Sequence, residues 1–102
     1  MAQFDVFRNP RPGPFPLLLD VQASLLSGLA TRVVVPMAKR KGYGMPAITQ
    51  LNPTAKVGGV EYVLVFQELA AVPATALGDM VGSLKSRRAD LVRAIDRLFT
   101  GI

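Results

Sequence analysis

A chain of 102 residues has room for one domain with a single modest core, so residues 1–102 are taken as one unit. Half of the residues are hydrophobic and the mean hydropathy is +0.33, a balance that predicts apolar surface covered by a second subunit, and hence a homodimer. The absence of Cys and His removes the usual metal ligands, the commonest general base and the best nucleophile, so no metal or cofactor is expected. A net charge of +5 suits an anionic partner without choosing between nucleic acid and an acidic protein segment.

In chain order, Gln3 to Phe7 and Leu17 to Gln22 are predicted strands of a wide hairpin. The Asn9-Pro10-Arg11-Pro12-Gly13-Pro14 segment between them lacks the donors a ladder needs and contains a turn-forming glycine. Arg32 to Met37 is a β-branched run that predicts a third strand, with Pro36 marking its exit from the sheet. Ala38 to Pro46 combines Lys39-Arg40-Lys41 with two glycines and a proline and is predicted to be a mobile loop.

Ile48 to Leu51, Ala55 to Val57 and Val60 to Phe66 follow as strands. Gly58-Gly59 between the last two supplies the positive φ values of a tight antiparallel turn and is the strongest hairpin signal in the chain. Leu69 to Leu77 is expected to add a short irregular strand around Pro73.

Only the last segment keeps a helical period. Fifteen residues from Leu84 to Leu98 place Leu84, Leu91, Ile95 and Leu98 on one face, with Ser83 or Ser86 available as N-cap and Asp90 three residues before Arg93. Strands followed by one terminal helix, without β-α alternation, predict an antiparallel α+β domain. A helix that runs to within a few residues of the last one is expected to present a binding tip.

Asp20, Arg32, Lys56, Glu61 and Glu68 interrupt every apolar run, so no span of a bilayer is expected. Asp5, Arg8 and the Pro/Arg-rich segment stand where a secretion signal would need an unbroken apolar stretch, and cytoplasm is the expected compartment.

Several short pieces share one register: Gln3-Phe4, Leu19-Asp20-Val21-Gln22, Val35-Pro36-Met37-Ala38, Pro53 before the Val57-Gly58 turn, Ala71-Val72-Pro73, Leu77-Gly78, Val81, Ala94-Ile95, Phe99 and Gly101-Ile102. In this order and spacing, nearly end to end, the chain resembles the CcdB toxins of bacterial toxin–antitoxin modules. The resemblance implies a twofold dimer with a main antiparallel sheet, a smaller sheet and a C-terminal helix packed across, the small barrel-like body shared with Kid and MazF toxins. It also implies a role in plasmid maintenance, a CcdA-like antitoxin as partner, and the DNA gyrase A subunit as target. The paired C-terminal tips of such toxins enter the gyrase A cavity while DNA is cleaved and block resealing, without catalysis and without sequence-specific contact to nucleic acid. On matching positions the gyrase-facing residues are Leu25, Leu26, Asp96, Phe99, Thr100, Gly101 and Ile102, while the antitoxin-binding residues stay unassigned.

One position departs. Poisoning members of the family end Phe-Trp-Gly-Ile, and this chain ends Phe99-Thr100-Gly101-Ile102. In the family that Trp stacks on a gyrase arginine, and loss of such an anchor costs about 2 to 4 kcal/mol, or roughly 30- to 1,000-fold in affinity. A weakened poison, a re-tuned toxin and a non-toxic relic that only binds antitoxin all remain open.

Plainer readings stand beside these. Phe99 lies four residues after Ile95 on the apolar stripe and is an expected core residue on periodicity alone. Leu25 and Leu26 are adjacent and cannot both point inward easily, so one is expected to be exposed. Lys39-Arg40-Lys41 beside Tyr43 reads as a phosphate-contacting loop or simply a solvated one. Arg87, Arg88, Arg93 and Arg97 keep the helix soluble or attract an acidic, disordered antitoxin tail. A Kid- or MazF-like endoribonuclease is the rival from another class, although the chain offers no recognisable spacing of acid and base groups.

Overall fold

The computed structural model describes residues 2–44 and 51–101. The expected strand at Ile48 to Leu51 therefore falls almost wholly outside the described residues, as do Met45, Pro46 and Ile102. Among the described residues seven strands form one antiparallel sheet: β1 (Asp5–Arg8), β2 (Leu17–Asp20), β3 (Thr31–Lys39), β4 (Thr54–Val57), β5 (Val60–Leu64), β6 (Ala70–Pro73) and β7 (Met80–Ser83). The helix α1 (Arg88–Thr100) follows. The spatial order is β4-β5-β3-β2-β1-β7, with β6 also on β3, and the sheet curls into a half-barrel around α1. The α+β class expected from the residue pattern is the class observed.

The nine-residue β3 organises this sheet. One edge pairs with β2 from Leu17↔Met37 to Asp20↔Val34, while the other is shared, Thr31 to Val34 going to β6 and Met37 to Lys39 to β5. Sharing β3 makes one continuous sheet of what the resemblance divides into a larger and a smaller one. Pro36 does not end the strand, contrary to expectation. Its carbonyl accepts from Val65 N–H at 2.9 Å, so its ring nitrogen faces the same side, in the gap between β6 and β5 where no donor is required.

That continuation also corrects the expected mobile loop from Ala38. Ala38 and Lys39 stay in the ladder opposite Val63 and Tyr62, Arg40 N–H donates to Glu61 O, and the Arg40 side chain pairs with Glu61 at 3.3 Å. The Val57-Gly58-Gly59-Val60 hairpin is as read, with φ of 59° and 81° at the glycines. Phe66 leaves β5 for a short 3-10 turn, Phe66–Glu68, which buries its ring against the helix side of the sheet. The irregular strand around Pro73 is β6, followed by another 3-10 turn at Ala74–Ala76.

The C-terminal boundary differs most from expectation. Met80–Ser83 is a strand on the outer edge of β1, and the helix begins at Arg88 after a 3-10 turn at Lys85–Arg87. Leu84 is buried in the core but precedes the helix. Neither serine caps α1: Ser83 Oγ accepts from Lys85 N–H at 3.3 Å, and Arg87 at the N-cap makes no side-chain capping bond. Arg87 instead donates to Thr54 O at 2.9 Å, joining the helix start to β4. Glycine is needed at position 78, where a Cβ would lie 2.7 Å from Arg8 O.

The concave face holds the core, where Phe4, Val6, Leu19, Val35, Met37 and Leu64 meet Leu91 and Ala94 of α1. On the opposite face of the sheet, alternating with the core positions Leu19, Val33 and Val35, lies a buried ion pair: Arg32 Nη2 and Nε reach Asp20 Oδ2 at 2.6 and 3.0 Å, with both side chains at 0% exposure. Asp20 stands opposite Val34, so Arg32 is its diagonal neighbour on the same face. Breaking a buried pair leaves an uncompensated charge. Arg32→Met is therefore expected to lower unfolding free energy by about 3 to 5 kcal/mol in urea titrations, with Asp20→Leu added to it recovering most of the loss. Leu91→Ala, which opens a cavity under the helix, is expected to cost about 2 to 5 kcal/mol in the same assay.

Candidate functional site

Residues matched to the tip of the molecule come from two places in the chain. Leu25 and Leu26 sit in a 3-10 turn, Ser24–Leu26, between β2 and β3, while Asp96, Phe99, Thr100 and Gly101 end α1. Leu26 and Phe99 line one apolar groove of about 490 Å³, together with Val33, Leu69, Ala71 and Ile95. The fold thus joins residues more than seventy positions apart.

Exposure decides between the alternatives for these side chains. Phe99 is 66% exposed, which corrects its expected place in the core. The reason is geometric: Leu91 and Ala94 take the buried face of α1, Ile95 and Leu98 flank it half-buried, and Phe99 stands at the rim of the groove, mostly in water. Both leucines are exposed rather than one, Leu25 at 94% and Leu26 at 47%. Leu29, 54% exposed, extends the same apolar surface.

The helix end is chemically quiet. Thr100 Oγ donates back to Asp96 O at 2.6 Å, spending its hydroxyl inside the helix. Gly101 adopts φ 75°, and its N–H caps Arg97 O at 3.1 Å, while Arg97 Nη1 reaches Gly101 O at 3.2 Å. Asp96 is exposed, and its carboxylate makes none of these bonds.

Polar contacts fix the leucine turn from beneath. Leu26 O accepts from Leu29 N–H at 3.1 Å, from Gln22 Nε2 at 3.0 Å and, at the limit of reach, from Arg32 Nη1 at 3.4 Å. Ser24 Oγ accepts from Gln3 N–H at 2.9 Å, and Gln3 Oε1 in turn accepts from Arg88 on α1 at 2.9 Å. Gln3, Gln22 and Arg32 were not singled out for the site by sequence. The available signal was Asp20 and Arg32, opposite charges each embedded in an apolar β-run on strands that pair.

Several of the basic residues have local partners. Arg87 and Arg93 both reach Asp90 at 3.2 Å, Arg88 lies 5.8 Å from the centre of the Phe4 ring, and Arg40 is paired with Glu61. Lys39 and Lys41 border a separate hollow of about 550 Å³ with Phe15 and Tyr43, away from the apolar groove. Among the described residues no three acidic, His or Cys side chains cluster where a metal could be held, and no helix is long and apolar enough to cross a membrane.

Comparison with known proteins adds the family. The profile of the CcdB protein family matches residues 3–101, so the strands, the leucine turn and the helix end all fall within the matched region. The chain belongs to the CcdB family, the toxins of toxin–antitoxin modules.

Proposed function

We propose that this protein poisons DNA gyrase as a cytoplasmic homodimer, docking Leu25, Leu26, Asp96, Phe99, Thr100, Gly101 and Ile102 against the gyrase A subunit and holding the enzyme on cleaved DNA. The exposure of Leu25, Leu26 and Phe99 around one end of the molecule is the observation that carries this reading, since apolar side chains held in water point to a partner that covers them. Poisoning of this kind is binding and not catalysis. A ligand that prefers the cleaved state shifts the enzyme toward it by its differential affinity, and no group on the toxin has to react.

Dimerisation is supported by the open edge of β6, which borders the apolar groove. β6 has β3 on one side and no strand on the other among the described residues, and Ala70 and Ala71 are exposed along it. A CcdA-like antitoxin with an acidic, disordered segment fits the net charge of +5. Thr100 bears on potency: with its hydroxyl bound to Asp96 O it offers gyrase a methyl group where an aromatic ring would stack. That observation favours a second, weaker reading, in which the protein binds antitoxin and only slowly poisons gyrase.

Purified protein mixed with gyrase and supercoiled plasmid should accumulate gyrase-linked cleaved DNA. Intact plasmid together with degraded single-stranded RNA would replace the reading with a nuclease. Thr100→Trp is expected to raise cleavage sharply, by roughly 30- to 1,000-fold in affinity, and no gain would remove Thr100 as the cause of weakness. Phe99→Ala should leave monomer stability within about 0.5 kcal/mol, because the ring is mostly in water, yet abolish the cleaved product. Ala71→Arg, on the open edge of β6, should shift sedimentation from dimer to monomer.

A further inference from the structure

None of the three residues in the Ser24–Leu26 turn is buried, so the turn receives no help from the hydrophobic core. A segment of this kind ordinarily frays. Here two uncharged side chains hold it. The Gln22 amide extends the β2-β3 ladder one step beyond its last paired residue: Oε1 accepts from Val33 N–H at 3.0 Å, and Nε2 donates to Leu26 O at 3.0 Å. Ser24 Oγ takes the Gln3 N–H at 2.9 Å, and Gln3 Nε2 donates to Val21 O at 3.1 Å, so the first residue of the turn is tied to the chain start.

We propose that Gln22 and Ser24 are positioning residues that hold the Leu25–Leu26 turn as a rigid apolar prong before any partner arrives. Ordering a free loop on contact would subtract from affinity, and a turn already set in the free protein avoids that loss. The inference rests on the reading of Leu25 and Leu26 as gyrase-facing. It assigns these two residues a role distinct from contact, since their polar atoms are engaged within the chain.

Four variants of the full chain test this. Gln22→Glu keeps an acceptor for Val33 N–H and loses the donor to Leu26 O, separating the turn from β3, and Gln22→Leu removes both. Ser24→Ala removes the acceptor for Gln3, and Ser24→Asp restores one. Amide hydrogen exchange at Leu26, Ser27 and Leu29, whose N–H groups are bonded within the turn, reports its order directly. Gln22→Glu and Ser24→Ala are expected to speed exchange there by roughly 3- to 10-fold each and to weaken binding to the gyrase A fragment by a similar factor, at an unchanged urea midpoint. Ser24→Asp should return both values to those of the starting protein.

Wild-type exchange rates in Gln22→Glu and Ser24→Ala would overturn the proposal, and so would loosened turns that bind gyrase A unchanged. A urea midpoint falling in step with affinity would assign Gln22 to the fold as a whole and equally overturn it. If the starting protein itself does not bind gyrase A, the gyrase reading falls, and the exchange rates alone decide whether these side chains fix the turn.

Discussion

The ion pair between Asp20 and Arg32 is the constraint on which this end of the molecule depends. Two opposite charges taken fully out of water are tolerable only when their hydrogen-bonding capacity is met, and here it is met by the surrounding backbone. Asp20 Oδ2 accepts from Arg32 Nε and Nη2, Oδ1 takes Gln22 N–H, and the Asp20 carbonyl accepts from Phe4 N–H at 2.6 Å. That last bond helps hold Phe4 at φ 71°, a conformation that costs a β-carbon residue about 1 to 3 kcal/mol and persists only where its neighbours enforce it. With the Phe4 ring buried and Leu84 N–H bonded to Phe4 O, the pair is linked through the chain start to the segment before the helix.

The two ends of the sheet are consequently different in kind. Around the pair, polar groups point inward and satisfy one another, while Leu25, Leu26, Leu29 and Phe99 point outward. At the far side, Lys39, Lys41, Tyr43 and Phe15 surround a hollow of mixed character. An apolar tip held by polar bonds suits a protein that acts through contact, because geometry is set without using the apolar side chains that a partner would cover.

The sheet's interior was readable where composition and geometry coincide. Gly58-Gly59 between β-branched runs can hardly be anything but a tight turn, and the alternation in the first two strands places Val6, Leu17 and Leu19 inward as found. Met80–Ser83 was not readable, because four residues containing a glycine carry no distinguishing period and owe their strand to pairing with β1. Leu84 on the helical stripe was misleading in the same way: spacing assigns a face but not the residue at which a helix starts. At the site, the exposed pair Leu25-Leu26 and the helix end came from family resemblance. The support beneath them, Gln3, Gln22 and Arg32, emerges only when strands distant in sequence are laid side by side. Phe99 shows where periodicity fails, since an apolar stripe also contains positions at the rim of the packed face that stay in water.

The pairing of β1 with β7 has a temporal side. Asp5 finds its ladder partner in Ser83, so β1 must wait for a strand made far later in the chain. Contacts so far apart along a chain are slow to form and leave unpaired strand edges in the interval. During translation, then, the nascent polypeptide lacks the completed sheet on which its apolar tip is mounted, and the finished shape comes into being only once β7 is available to fold.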